Sequence, residues 1–232
     1  MCGRYAIFER PQSLQGLLEF DDAEDFEARY NIAPTQRVPV LRPKEQGDGL
    51  RLDMLRWGLV PAWAKDPKIG SRMINARAET LAEKPSFRAA FQRRRCVLPT
   101  SGYYEWQMSP DGKRPHFIRR KDGGPLFLAG LWERWGKGED EPLETCTIIT
   151  TSANAALESL HHRMPVVLEP AQFPAWFDPA GERAALEDML VPAADDVLEA
   201  FEVDRQVNSV RNDGPACIEP IVGGADAGTL FD

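Results

Sequence analysis

The segment PHFIRRKDGGPLFLAGLWERW, residues 115–135, has two apolar arms on either side of Asp122-Gly123-Gly124. Asp-Gly and Gly-Gly pairs are typical of tight turns between strands. The segment therefore predicts a β-hairpin, which joins sequential strands in an antiparallel sheet.

The surrounding chain extends this β pattern and adds short helices. CVLPTSGYYEW (96–106) predicts strand, loop and strand, and ETCTIITTSA (144–153) is rich in β-branched residues. Short helices are predicted at SFRAAFQRRR (86–95, with Ser86 as N-cap), NAALESLHHR (154–163), AQFPAWF (171–177) and ERAALEDML (182–190). We therefore expect an α+β fold with a curved, largely antiparallel, barrel-like β core and peripheral short helices.

Composition limits the class of protein. The 232 residues are enough for one core, and we expect a single domain over 1–232, with its core at about 2–222 and a short C-terminal tail. No apolar run predicts a signal peptide or membrane span. Four widely spaced cysteines predict neither a zinc site nor a disulfide framework. We expect a cytoplasmic protein with reduced thiols, no metal and no cofactor.

Charge is unevenly distributed along the chain, although the net charge is −8. Residues 1–120 carry 21 basic and 15 acidic side chains, whereas residues 121–232 carry 7 and 21. Between Arg51 and Arg95 there are 11 basic and 4 acidic residues. This run is either a solvated face or a phosphate-binding surface. Within it, Trp57 is expected in the core and Trp63 on the surface, where it is placed to stack on a nucleobase.

Four residues are candidates for chemistry, and each has a structural alternative. Cys2 is either a nucleophile or the first apolar residue of a strand. Glu105 lies between two aromatic residues, so its carboxylate either forms a buried salt bridge or has a raised pKa suited to proton transfer. His161 either caps carbonyl groups or transfers protons. Asn75 is either a turn residue or orients a substrate or an amine.

Seven sequence blocks decide between these alternatives. They are CGRY (2–5), YNIAPTQ (30–36), WGLVPAW (57–63), INARAET (74–80), GYYEW (102–106), LHHRMPVVL (160–168) and VNSVRNDGPACIEP (207–220). In these blocks and their order the chain resembles, over about residues 2–222, the SOS-response-associated peptidase (SRAP) family of abasic-site processing proteins.

The resemblance implies that the chain binds single-stranded DNA carrying an abasic site and crosslinks to it through a thiazolidine. The nucleophile would be Cys2 after removal of Met1, supported by Asn75, Glu105 and His161. His161 is chosen over His162 because the family pattern is His, one variable residue, then Arg-Met-Pro.

The residue chemistry is consistent with that activity. An α-amine has a pKa of about 7.7–8.0, against about 10.4 for lysine, so part of it is neutral near pH 7. Only an N-terminal cysteine offers an amine and a thiol on adjacent carbons. We expect lyase-type Schiff-base chemistry in which Glu105 relays protons, His161 acts at the sugar's ring oxygen and Asn75 positions the amine or the sugar.

Arg4, Trp63 and Arg77 are the predicted DNA contacts, with weak sequence preference because a missing base offers no edge to read. In the run Arg93–Arg95, at least one side chain is expected to be ordinary solvated surface, since a helix cannot direct all three one way.

Two other functions compete with crosslinking. One is a thiol (auto)peptidase that uses Cys2, and the other is a module that binds single-stranded DNA without a covalent bond. We expect a monomer without membrane contact, associated with the nucleoid when bound to DNA, with replication or repair machinery as a further partner.

Overall fold

Both apolar arms of residues 115–135 are strands in the computed structural model, which describes residues 2–20, 22–136 and 141–221. The predicted hairpin is nevertheless wrong, because strands Gly112–Arg120 and Leu126–Trp135 lie in different sheets. Leu126–Trp135 is buried over eight consecutive residues, so it needs a neighbouring strand at each edge inside a core. The glycine turn therefore carries the chain from one sheet to the other.

The strands of the described residues are β1 (Tyr5–Ile7), β2 (Asp22–Ala23), β3 (Arg29–Ile32), β4 (Arg37–Pro43), β5 (Leu50–Trp57), β6 (Asn75–Arg77), β7 (Arg95–Thr100), β8 (Gly102–Ser109), β9 (Gly112–Arg120), β10 (Leu126–Trp135), β11 (Leu143–Ser152), β12 (Arg163–Pro165) and β13 (Leu198–Glu202). The helices are α1 (Pro11–Gln15), α2 (Arg88–Arg93), α3 (Phe173–Phe177) and α4 (Arg183–Asp188). Short 3₁₀ turns cover Pro67–Arg72, Ala78–Thr80, Pro170–Gln172, Arg205–Asn208 and Pro215–Ile218.

A closed barrel forms the centre of the larger sheet. Strands β11, β10, β7, β4 and β5 are antiparallel neighbours in that order. A parallel pairing of β5 with β11, which sets Cys146 opposite Trp57, closes the ring. Closure removes the unpaired strand edges. The predicted barrel-like, largely antiparallel α+β fold is confirmed.

The second sheet has the order β13-β9-β8-β1-β3, with every pair antiparallel. The N-terminal strand β1 therefore lies between two neighbours rather than at an edge. One apolar cluster contains Cys2 and Tyr5 together with barrel residues such as Trp57 and Cys146, so it joins the two sheets.

A second apolar cluster packs the outside of the barrel against the short helices. It includes Phe91 of α2, Trp176 of α3 and Leu186 of α4. The predicted helices at 86–95, 171–177 and 182–190 are confirmed in position.

Two local predictions are wrong. Ser86 does not cap α2, whose N-cap is Phe87 and has no side-chain hydrogen bond. Within the predicted helix 154–163, residues 155–160 form turns and Arg163 already belongs to β12. The Asn154 side chain accepts the Leu157 N–H at 3.1 Å, as a helix N-cap does, but the turns that follow do not continue as a helix.

Gly58 directs the chain from β5 toward β6. Its φ is +125°, and its N–H donates to the Cys146 carbonyl at 2.8 Å. A Cβ at this position would meet the Gly70 carbonyl oxygen at 2.5 Å, so only glycine fits this crossing. Residues 59–74 follow this crossing and lead to β6, which begins at Asn75.

Within the described residues, no helix is long and apolar enough to cross a membrane. The predicted tail after residue 222 lies outside the described residues.

Candidate active site

The residues before β1 lead the chain start into the interior. The Tyr104 N–H donates to the Arg4 carbonyl at 2.9 Å, which continues the β1–β8 alignment toward Cys2. Cys2 is completely buried, and its Sγ lies 3.9 Å from the Arg4 carbonyl. Burial, and secondly the charge of Glu105, raise the pKa of this thiol far above its ordinary value. The thiol is therefore neutral in this conformation.

Asn75 holds Cys2 by its backbone. It begins β6, a strand of three residues that pairs in parallel with β11. Its side-chain Nδ2 donates to the Cys2 carbonyl at 2.8 Å. Its Oδ1 is buried and has no hydrogen-bond partner among the described residues. Asn75 thus holds the backbone of Cys2 through Nδ2, and its Oδ1 is able to accept a hydrogen bond from a further group.

Glu105 reaches the same place from β8. Glu105 is only 5 % exposed, and this burial raises the pKa of its carboxyl group. Its charge acts on the Cys2 thiol, and the charge of His162 acts on it in turn. The expected raised pKa of Glu105 is therefore present, and its role in proton transfer stays a prediction.

His161 and His162 differ in burial. His161 is half-buried and His162 is exposed, with their rings stacked at 4.4 Å between centroids. The Arg163 N–H donates to His161 Nδ1 at 2.9 Å. Burial lowers the pKa of His161. Of the two histidines, His161 has the environment expected of an oriented ring.

The structure therefore brings Cys2, Asn75 and Glu105 together by direct contact or by charge. The stacked histidine pair lies within electrostatic range of this group, because the charge of His162 acts on Glu105. Among the described residues, no group of three or more His, Cys, Asp or Glu side chains is arranged to hold a metal ion.

The predicted DNA contacts differ in accessibility. Trp63 is 59 % exposed, whereas Trp57 is buried, as expected for both. Arg77 is exposed and lies two residues after Asn75 in β6. Arg4 is half-buried, and its Nη1 donates to Asn31 Oδ1 at 2.6 Å and to the Val207 carbonyl at 2.9 Å. Arg4 thus has a structural role, and its contact with DNA stays a prediction.

The run Arg93–Arg95 divides as expected. Arg93 is exposed, and Arg94 pairs with Glu133 at 2.6 Å. Arg95 is buried and donates to four backbone carbonyls, two of which belong to Trp176 and Asp178. Only Arg93 is ordinary surface.

Sequence reasoning missed Asn31, which is fully buried. It accepts from Arg4 and donates to the carbonyls of Val207, Ser209 and Asn212. Its block, YNIAPTQ, contributed to the family resemblance, but nothing local indicates partners more than 170 residues away.

Comparison with known proteins shows which family this chain resembles. The family model described as SOS response associated peptidase (SRAP) matches residues 1–210. The abasic site processing protein YoqW of Bacillus subtilis (strain 168) is 42% identical, and the match covers 94% of this chain and 99% of the relative. The abasic site processing protein YedK of Escherichia coli (strain K12) is 33% identical over 95% and 100% of the two chains. A crystal structure of a protein from Bacteroides thetaiotaomicron is similar with a TM-score of 0.82 and 25% identity, covering 94% of this chain and 99% of that one.

Proposed function

The chain belongs to the SRAP family, and from this membership and the geometry around Cys2 we propose that it processes abasic sites in DNA by forming a covalent thiazolidine crosslink. In this proposal Met1 is removed, and Cys2 then presents its amine and its thiol to the open-chain aldehyde of the lesion. The relatives YoqW and YedK are named for abasic-site processing, which supports the substrate class.

The first bond forms between the Cys2 nitrogen and C1′ of the sugar. His161 promotes ring opening by proton transfer at the ring oxygen, and the amine adds to the aldehyde to give a carbinolamine. Protonated Glu105 gives its proton to the departing hydroxyl, so water leaves and an iminium remains. The raised pKa of the Glu105 carboxyl supports this acid role near neutral pH.

The second bond forms between Sγ and the same carbon. The thiol proton passes to the Glu105 carboxylate while the sulfur adds to the iminium, which closes the five-membered ring and restores protonated Glu105. This step is intramolecular, so its effective concentration is very high and the closed adduct is favoured over the Schiff base. Overall the reaction releases one water and needs no redox partner.

The observation that carries the proposal is the hydrogen bond from Asn75 to the Cys2 carbonyl. Asn75 of β6 holds the backbone of Cys2. Cys2 itself does not belong to a strand, since β1 begins at Tyr5. Anchoring the carbonyl restricts the direction of the amine and thiol on the same residue, which favours attack on a held substrate.

Single-stranded DNA is the proposed form of the substrate. Trp63 offers an exposed indole for base stacking, and Arg77 offers a charge beside Asn75. We expect a strong decrease of affinity with salt, as for any binding that neutralises phosphates.

A thiol peptidase is less well supported. Such enzymes use a cysteine whose pKa is lowered, next to an imidazole that forms an ion pair with it. Burial and Glu105 instead raise the pKa of the Cys2 thiol. In the proposed crosslinking reaction the amine attacks the aldehyde first and forms the imine. The thiol can therefore be neutral at the start, because the sulfur reacts only afterwards.

The test is a denaturing gel after incubation with a short single-stranded oligonucleotide carrying one abasic site. We expect an adduct that survives denaturation, is absent with intact DNA and is lost in Cys2→Ala. Cys96→Ala, which removes a buried thiol from the barrel, is the matched control and keeps the adduct.

Cys2→Ser separates the two bonds. It retains the amine, so it should give an adduct that is trapped only by borohydride. Intact-mass measurement should show that Met1 is absent from the active protein. Wild-type protein that binds the oligonucleotide but forms no denaturation-resistant band contradicts the crosslink, and a cleaved peptide substrate without any adduct favours the peptidase.

A further inference from the structure

Glu79 and Arg163 form a two-pronged ion pair between the turn after β6 and the start of β12. Arg163 Nη1 donates to Glu79 Oε1 at 2.6 Å, and Nη2 donates to Oε2 at 2.9 Å. Nη2 also donates to the Thr150 carbonyl at 2.6 Å. The Arg163 side chain is 12% exposed, whereas that of Glu79 is 51% exposed. This fork geometry fixes the guanidinium more firmly than a single contact.

The ion pair connects β6 and β12, two strands that both pair with β11. Glu79 lies in the 3₁₀ turn Ala78–Thr80 directly after β6, and Arg163 begins β12. β6 pairs with β11 through residues 148–150, and β12 pairs with it through residues 150–152. Glu79 therefore ties the strand that carries Asn75 to the strand that follows His161.

Arg163 controls the His161 ring through its backbone. Its N–H points at His161 Nδ1 at 2.9 Å, and its carbonyl oxygen lies 3.1 Å from the same atom. A neutral ring accepts this N–H and therefore carries its proton on Nε2. A protonated ring can donate from Nδ1 to the carbonyl. Both protonation states thus find a partner on Arg163, and the proton exchanged with a substrate is the one at Nε2.

We propose that Glu79 is a positioning residue for His161: it holds the Arg163 side chain, and with it the peptide groups that set the tautomer and orientation of the ring. This inference deepens the proposed function, on which the role of His161 rests. Glu79 does not touch the lesion in this scheme and acts only through Arg163.

Charge gives the arrangement a second effect. The charged groups that act on the histidine pair are the N-terminal amine, Arg163 and Arg77, and His162 also interacts with the carboxylate of Glu105. Burial and then the charge of the N-terminal amine lower the pKa of His161, while Arg163 acts in both directions: its backbone hydrogen bond raises the pKa and its charge lowers it. The ion pair with Arg163 also lowers the pKa of Glu79, so Glu79 stays ionised near neutral pH and offsets part of the arginine charge.

The experiment compares Glu79→Gln and Glu79→Ala with Glu24→Gln. Glu24 pairs with Arg37 through Nη2 and is 47% exposed, so it is a matched ion pair away from the site. Ring nitrogen shifts of ¹⁵N-labelled protein report the tautomer and titration of His161, and the chain has three histidines to assign. The pH dependence of single-turnover adduct formation is the second readout.

We expect neutral His161 of the wild type to carry its proton on Nε2. In both Glu79 variants we expect a mixture of tautomers, a titration midpoint lower by roughly half a pH unit and an adduct rate reduced by about 3–10-fold near pH 7. Glu24→Gln should leave all three unchanged.

Unchanged ring shifts and midpoint in both Glu79 variants overturn the proposal, whatever the adduct rate does. A change confined to DNA affinity and its salt dependence also overturns it, since Glu79 then competes with phosphate for Arg163. If the wild type forms no adduct, the proposed function fails, while the ring shifts still decide whether Glu79 positions His161.

Discussion

Replacing Asn75 with alanine tests whether the anchor on Cys2 controls reactivity. The change removes one hydrogen bond of 2.8 Å to the Cys2 carbonyl and the free acceptor Oδ1. A neutral hydrogen bond contributes about 0.5–1.5 kcal/mol, so we expect the free energy of unfolding to fall by about 1–2 kcal/mol. A domain of this size should then melt roughly 2–8 °C lower.

The effect on rate should be much larger than the effect on the folded population. Proteins are stable by about 5–15 kcal/mol, so the loss of about 1–2 kcal/mol leaves nearly every molecule folded. A shift of about 1 Å in a reacting group costs on the order of 10²-fold in rate. We therefore expect Asn75→Ala to slow adduct formation by about 10–100-fold under single-turnover conditions.

Two further variants isolate the cause. Gln15→Ala removes an amide-to-carbonyl hydrogen bond of 3.1 Å to Phe20, away from the site, and should not slow the reaction. Asn75→Asp keeps an acceptor but loses the donor, so it should be as slow as the alanine variant if the carbonyl anchor matters. Adduct formation by Asn75→Ala within about 2-fold of wild type, or equal slowing by Gln15→Ala, would refute the reasoning.

Three other predictions test acid–base chemistry, DNA binding and the backbone. Burial raises the pKa of Glu105, so its stabilising contribution is present below the ordinary carboxyl pKa and is lost as the pH rises through the raised value. Glu105→Gln should therefore gain thermal stability relative to wild type as the pH rises above the ordinary carboxyl pKa of about 4.3, while the adduct rate falls by about 10²-fold; a difference in melting temperature that stays constant as the pH rises contradicts this. Trp63→Ala should weaken binding of single-stranded DNA by roughly 5–100-fold in fluorescence anisotropy, since one stacked base contributes about 1–3 kcal/mol, and an unchanged dissociation constant argues against stacking. Gly58→Ala should lower the melting temperature by at least about 4 °C because its Cβ would meet the Gly70 carbonyl, whereas Gly123→Ala, with φ +77° and open space, should lower it less; equal losses would mean that φ alone matters.

Local patterns predicted most strands and helices, but they did not predict which strands pair. The turn at Asp122-Gly123-Gly124 was correctly located, yet its two strands lie in different sheets. Turn residues determine where a chain reverses, whereas burial on both faces determines which sheet accepts a strand such as Leu126–Trp135. The parallel closure of β5 on β11 is equally non-local, since Trp57 and Cys146 are 89 positions apart in the sequence.

At the candidate site, too, local patterns identified individual residues but not the contacts between distant parts of the chain. Motifs singled out Cys2, Asn75, Glu105 and His161 as separate residues, and their catalytic roles remain predictions. No pattern indicated that Asn75 would hold a backbone carbonyl, because that contact depends on how β6 meets the chain start. Ion pairs such as Glu79 with Arg163 are unpredictable for a similar reason, since either partner also occurs as ordinary surface charge.

The central position of β1 also has a consequence for the order of events during synthesis. Cys2 is made at the start of synthesis, but Asn75, which holds its carbonyl, and Glu105, whose charge acts on its thiol, are made much later. At about 5–20 residues per second, the ribosome needs roughly 5–20 s to reach Glu105. Throughout that interval the start of the chain has neither its β8 neighbour nor its Asn75 anchor. The removal of Met1 that the proposed function requires can therefore take place on an open nascent chain, before folding buries Cys2.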